Sequence, residues 1–245
     1  SAASATIQIE GVPPSDANGL YGGSDAADNS GSITYVSIRH GGANIGEGNE
    51  INGLTLGGVG SGTTVSNIEV VGNQDDGIEF FGGTVNVSNA LVWNAGDDAI
   101  DTDQGWSGTL DNFIIVNPGD ECFELDGPEG SAAGTHTINN GTTYAGRAQG
   151  LVDLDDNSNV VFTNQYFFGV ADGQDFDQVP TDDGFLDASN LEVTLPAGGI
   201  LTDFFKGGSD AFTTEVAEGA NTVGADASVL VGWTWAGLSG NLAGF

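Results

Sequence analysis

Three stretches of this chain, 65–79, 87–101 and 110–124, repeat one another almost without gaps, at offsets of 22 and then 23 residues. Each reads as a short apolar strand carrying an Asn, a brief turn, a pair of acids, and a second short strand. The Asn recurs as Asn67, Asn89 and Asn112, and the acid pair as Asp75-Asp76, Asp97-Asp98 and Asp120-Glu121. An apolar residue follows as Ile78, Ile100 and Phe123, and then an acid as Glu79, Asp101 and Glu124. A fixed period of this length marks a solenoid. With β-branched pairs and Gly/Asn turns in each unit, the spacing predicts a right-handed parallel β-helix, an all-β fold with coils of about 22–33 residues.

The pattern continues on both sides. Residues 51–56 fit the second strand at an offset of 24, so Gly53 falls over Gly77 and Leu54 over Ile78. Residues 33–38 fit the first strand; downstream, 152–155 repeat 123–126, and 162–167 repeat the Asn-bearing strand. Asp182-Asp183-Gly184-Phe185 reads as a further acid pair. About seven or eight coils are expected, with the extra residues at 41–50, 127–134 and 171–181 bulging out at coil corners. Successive coils lie about 4.8 Å apart, so every equivalent position forms a ladder. Ile78, Ile100 and Phe123 should stack inward. Asn67, Asn89 and Asn112 should turn a corner, because Asn tolerates the left-handed region and bonds locally to the main chain.

The chain carries 41 Gly, three basic residues (Arg39, Arg147 and Lys206) and a net charge of −32. So few cations exclude nucleic acid and an anionic membrane surface as partners, since both need clustered Lys/Arg. Cys122 stands where Gly77 and Ala99 stand in the repeat, so it should be a small buried residue, and a lone cysteine offers no disulfide framework. No apolar run is long enough to span a bilayer, which argues against direct membrane insertion. The opening strand-like segment at 5–9 suggests a trimmed part of a longer exported precursor. We divide the chain into coils at 1–195 and a C-terminal strand or capping segment at 196–245, packed on the same solenoid. In it, the alternating aromatics of 229–236 should close the last coil; Trp233 and Trp235 are the alternative binding residues there.

Stacked acids need a cause. Two like charges roughly 5 Å apart repel by about 1 kcal/mol in water, and by more near protein. The columns Asp75/Asp97/Asp120, Asp76/Asp98/Glu121 and Glu79/Asp101/Glu124 must therefore stand fully in water or be paired with a cation. Calcium takes six to eight hard oxygen ligands in flexible geometry. The expected ligands are Asp75, Asp76, Asp97, Asp98, Asp120 and Glu121. Known calcium motifs do not supply this expectation: Asp153-Leu154-Asp155-Asp156-Asn157 lacks the Gly and Glu that complete an EF-hand loop.

Catalysis is the competing reading. Glycoside hydrolysis uses two carboxylates at a set separation, and Gly96-Asp97-Asp98 resembles the paired-Asp motif of polygalacturonases; Asp97, Asp98 and Asp101 are the residues it would use. The pair recurs in neighbouring coils, as a unique active site would not. The Gly-His-Gly and Arg-x-Lys motifs of that family are missing: this chain offers Arg39-His40-Gly41-Gly42, ahead of the Asp pair, and His136. Arg39 should bind a neighbouring acid. Of the aromatics Trp93, Trp106, Tyr144, Tyr166 and Phe168, any exposed Trp near a polar group would suit sugar.

The segments 9–14, 35–42, 48–60 and 123–130, with the Trp233-Thr234-Trp235 tail, resemble a group of secreted or cell-surface right-handed parallel β-helix proteins of marine Gram-negative bacteria. That resemblance implies fold and export, and it carries over no catalytic residue. The expected function is a non-catalytic extracellular module, structural, adhesive or glycan-binding and stabilised by calcium, with a polysaccharide or cell-surface component as partner. The alternative is a polysaccharide-degrading hydrolase or lyase.

Overall fold

A computed structural model describes residues 6–43, 51–128, 134–180 and 184–245. The acid pair Asp182-Asp183 and the centres of the corner loops at 44–50, 129–133 and 181–183 lie outside the described residues.

The chain winds into a parallel β-helix of about six turns, fewer than the seven or eight expected. A long sheet takes one strand from each turn: Ser32–Arg39, Thr64–Val71, Val87–Trp93, Thr109–Val116, His136–Tyr144, Asn159–Phe168, Phe185–Val193 and Thr213–Glu215, all parallel and in chain order. A short sheet takes the other: Leu54–Gly57, Ile78–Phe81, Ile100–Asp103, Phe123–Leu125 and Asp153–Leu154. Beyond it the short sheet shrinks to single bridging residues, Val152 to Phe176 and Phe176 to Phe205.

The repeat alignment sets the register. Val65 pairs with Val87 and Val87 with Leu110; Leu54 pairs with Ile78, Ile78 with Ile100, and Ile100 with Phe123. Ile78, Ile100 and Phe123 are fully buried in the core between the sheets. At the Asn corner, Asn67, Asn89 and Asn112 have φ of 56°, 57° and 57°. Asn112 Nδ2 donates to Asn89 Oδ1 at 2.8 Å, and Asn89 Nδ2 to Asn67 Oδ1 at 3.4 Å. Asn140, Asn164 and Asn190 extend the corner at φ 55–57°, and Tyr35 begins it at φ 56°. Cys122 is fully buried, in line with Gly77, whose Cβ would meet Val92 at 2.4 Å and the Ala99 carbonyl oxygen at 2.5 Å.

Three expectations are corrected. The strand His136–Tyr144 supplies a turn that the repeat alignment skipped, because its Asn140 follows Asn112 at the irregular spacing of 28 residues. Phe185 opens a long-sheet strand paired with Asn159, so it does not head a short-sheet strand after an acid pair. The C-terminal segment is not a strand over the last coil. Parallel pairing persists to Glu215, past the expected boundary at 195. The chain then turns back along the outer face of the long sheet.

This strap is laced to successive turns. Thr222 N–H donates to Glu192 at 2.6 Å, Ala225 N–H to Thr142 Oγ1 at 2.8 Å, Asp226 N–H to Asn112 Oδ1 at 2.7 Å, and Ala236 N–H to Glu69 Oε1 at 3.2 Å. Leu230, Ala236 and Leu242 bury themselves against Leu91, Ile114 and Val116. Alternating aromatics suggested a strand, but the segment makes two helical turns, Ser228–Val231 and Trp235–Leu238. Thr234 Oγ1 caps the second by accepting Gly237 N–H at 2.9 Å, and a Cβ at Gly237 would lie 2.5 Å from the Val231 backbone. Local capping and close helix contact override the two-residue alternation.

Contacts in a solenoid are mostly between neighbours. Deletion of the whole coil 86–107 should therefore leave a β-rich circular dichroism spectrum. Deletion of Ala90 alone should abolish cooperative melting, because a one-residue slip turns every later side chain of that strand to the wrong face. A disordered spectrum for the coil deletion would contradict the ladder assignment.

Candidate functional site

The acid columns lie where the long sheet ends and the short sheet begins. Each turn passes from one to the other through a tight bend, and the next turn's bend stacks on it through Gly77 N–H to Asp98 C=O at 2.9 Å and Ala99 N–H to Glu121 C=O at 3.2 Å. The carboxylates bond in the opposite direction, each accepting from the N–H of the following turn. Asp76 Oδ1 accepts Asp98 N–H at 3.0 Å, and Asp98 Oδ1 accepts Glu121 N–H at 2.5 Å. This gives part of the cause of the repeated acid: a bend N–H needs an acceptor, and the previous turn's carboxylate supplies it. The column ends at Gly150, which bridges Glu121; a Cβ there would strike the Glu121 carboxylate at 1.9 Å.

Of the expected ligands, Asp75, Asp76 and Asp97 come together, with one oxygen from each within 4.8 Å of the others. Asp98 has one oxygen committed to the Glu121 backbone, and Asp120 and Glu121 stand at the half-buried end of the stack. A second group, Asp76, Glu79 and Asp101, meets within the same 4.8 Å. Sequence reasoning placed Glu79 and Asp101 in a column and left both out of the ligand set. It also missed Asn52, although the 24-residue offset that sets Leu54 over Ile78 sets Asn52 over Asp76. Asn52 Nδ2 donates to Glu79 Oε2.

Burial dominates the electrostatics. Asp76 is pushed up to about 8, first by burial and then by Asp75. Glu79 is pushed up to about 10 by burial and then by Asp76, and Asp98 to about 10 by burial and then by its bond to Glu124. Burial, then the Glu79 charge, holds Asp101 well above the usual carboxylate range. Further along, Glu121 and Asp126 rise to about 7, each by burial first and then by a neighbouring Asp. In the third column, Asp153 pairs with Glu124, and the bridges through Phe176 and Phe205 carry its register on to Asp177 and then Lys206. Lys206 pairs with Asp175, so an ammonium ends the acid column.

A second place of interest lies at the C-terminal ends of the long strands, a few residues before the acid bend. Arg39, His40, Val71, Gly72, Trp93 and Asn94 from three turns, roofed by Trp235 of the strap, enclose a cavity of about 260 Å³. Trp93 and Trp235 meet edge to face with centroids 5.7 Å apart, and Tyr35 and Trp233 do the same at 5.5 Å. All three Trp are half-buried, and Tyr35 is 66% exposed. As expected, Arg39 pairs with an acid: its Nη2 lies 3.3 Å from Glu69 Oε2. Of the other aromatics, Trp106 is core, stacked on Phe80 at 3.9 Å and beside His136. His136 is buried, with Nε2 3.4 Å from Thr102 Oγ1, and burial pulls it down to about 3; it is a neutral core residue. Tyr166 and Phe168 stack at 5.3 Å.

Two parallel sheets wound as one solenoid, with acids at the bend, define a parallel β-helix protein. A family model described as a pectate-lyase like beta helix domain matches residues 5–234, and the chain belongs to that family. Comparison with curated proteins and with solved structures gave no match. Among the described residues, no helix is long and apolar enough to cross a membrane.

The raised acids fix the sign of a pH effect. Their native pKa values lie above their unfolded ones, so between the two values the native state holds more protons than the unfolded chain. Stability is then fully present below the unfolded value and is lost as pH rises through the native value. In chelator at fixed ionic strength, the melting temperature should fall steadily from about pH 5 to about pH 9. Replacing both Asp97 and Asp98 with Asn should raise it at pH 8 and flatten the profile. A melting temperature that rises over this range would contradict the assignment of the bend acids as buried.

Proposed function

We propose that this domain is a non-catalytic, secreted or cell-surface module that binds a neutral glycan in the aromatic cavity. The observation that carries the reading is the enclosure of Trp93, Trp235, His40 and Asn94 around one cavity. Aromatic faces stack on the apolar faces of sugar rings, while the edges of His and Asn bond hydroxyls. At about 260 Å³, the cavity is smaller than the roughly 300–1,000 Å³ of drug-sized pockets, which suits a short stretch of saccharide.

Charge chooses neutral over acidic sugars. Arg39 faces Glu69, which is fully buried and also accepts from Ser37 Oγ–H and Ala236 N–H. Its positive charge is therefore offset locally, and the net −32 of the chain repels polyanions at long range. Membership of the pectate-lyase-like family supports a polysaccharide partner. Against hydrolysis by Asp97, Asp98 and Asp101 stands the repetition of these acids along the stack. A glycosidase needs one carboxyl protonated and its partner ionised at working pH. Burial raises Asp98 to about 10 and raises Asp101 as well, and the same acid pair recurs in the neighbouring turns, as a unique active site would not.

The test is a panel of neutral and uronate polysaccharides, scored both for retention and for new reducing ends or unsaturated products. We expect retention on a neutral polymer without product. Trp93→Ala and Trp235→Ala should each weaken retention about tenfold through lost stacking. Product formation that disappears in Asp98→Asn would replace this reading with the enzymatic one.

A further inference from the structure

We propose that the first strand of the long sheet, Ser32–Arg39, is the contact face of a two-fold dimer, in which it pairs antiparallel with the same strand of a second copy. Ser32–Arg39 stands at the end of the strand order of that sheet. Thr64–Val71 lies on one side of it, and among the described residues no strand lies on the other. Residues 32–37 are all exposed. The register sets Ile33 over Val65, Val36 over Ile68 and Ile38 over Val70, three residues of the buried core. Ile33 is nevertheless 39% exposed and Val36 36%, so the inward column is open at this end. The segment ahead of the strand does not close it. Ile7–Gln8 and Leu20–Tyr21 pair with each other, and Tyr21 packs on Phe81 and against Gly57 at the short sheet.

An exposed edge is ordinarily blunted by charge, proline or brevity. The opposite edge of the same sheet follows that rule, since Thr213–Glu215 has three residues and ends in an acid. Ser32–Ile38 has neither a charge nor a proline, in a chain of net charge −32. It is the stretch where two such chains can meet without setting acid on acid. Charge also selects the occupant and its direction. The exposed Asp25 and Asp28 lead into the strand, and Arg39 ends it. A two-fold contact matches one surface to itself with its direction reversed, so Arg39 of each copy meets the Asp28 end of the other; a parallel pair would set Arg39 on Arg39. A further turn of the same kind is less well provided for. The corner amide ladder stops here, because position 35 holds Tyr and Asn67 Nδ2 turns to Ser66 Oγ at 3.3 Å.

Sedimentation velocity across about a hundredfold range of protein concentration tests the proposal, since dimerisation follows mass action. The parent should pass from monomer to dimer and go no further. The net charge opposes approach, so added salt should tighten the dimer by screening it. Val36→Lys places a charge on the edge and should weaken the dimer about tenfold or more. Thr34→Lys should do the same; Thr34 is exposed and outside the core column, so it keeps the test open if Val36→Lys folds poorly. Leu238→Lys, at an exposed position of the strap, changes the net charge equally and should leave the dimer unchanged. On mild oxidation Val36→Cys, close to the two-fold, should cross-link two copies, and Ser32→Cys should not. A monomer at every concentration and salt overturns the proposal, as does growth beyond a dimer. So does a dimer weakened by Leu238→Lys but not by Val36→Lys or Thr34→Lys, and cross-linking through Ser32→Cys would overturn the antiparallel pairing.

Discussion

The parallel hydrogen-bond ladder between one turn and the next governs everything else in this molecule. Every strand after the first in the long and short sheets bonds to the equivalent strand of the turn before it, at a register set 22–32 residues back. Once that register is fixed, side chains have no choice of neighbour. Ile78 must meet Ile100, Asn89 must meet Asn67, and Asp76 must meet Asp98. Favourable and unfavourable stacks are imposed together: the apolar column makes the core, and the acid columns come with it.

The acid columns show how the fold lives with like charge. Three local devices are visible. Asp76 and Asp98 turn one oxygen each onto a backbone N–H of the following turn. Glu79 and Asp101 stand side by side in neighbouring turns, and burial, before any charge, raises both above the usual carboxylate range. Lys206 and Gly150 end their columns with a cation and with a vacant side-chain position.

The strap solves a different problem. The outer face of the long sheet presents Leu91, Ile114 and Val116, apolar residues that a solenoid turn cannot bury by stacking. Leu230, Ala236 and Leu242 cover them. In doing so the strap brings Trp235 against Trp93 and Trp233 against Tyr35, so the aromatic cavity is a product of covering that face. Glu69 ties the arrangement together, since one buried carboxylate joins Arg39 of the first turn to Ala236 of the strap.

The sequence by itself determined the solenoid, its register, the inward column and the Asn corner, because each depends on residues a fixed distance apart in the chain. It also placed the acids in columns. It did not reveal the turn at His136–Tyr144, where irregular spacing hides the Asn140 repeat, nor the helical turns of the strap, where Thr234 and Gly237 outweigh alternating aromatics. Asn52 was legible as a register position but not as a partner of Glu79, since that depends on which way an amide points and on how deeply it is buried. Only the tertiary structure decided where the tail lies, which tryptophans stay accessible and which carboxyls are taken out of water. Those outcomes rest on contacts between residues more than a hundred positions apart, such as Ala236 and Glu69, and on desolvation, which no local pattern encodes.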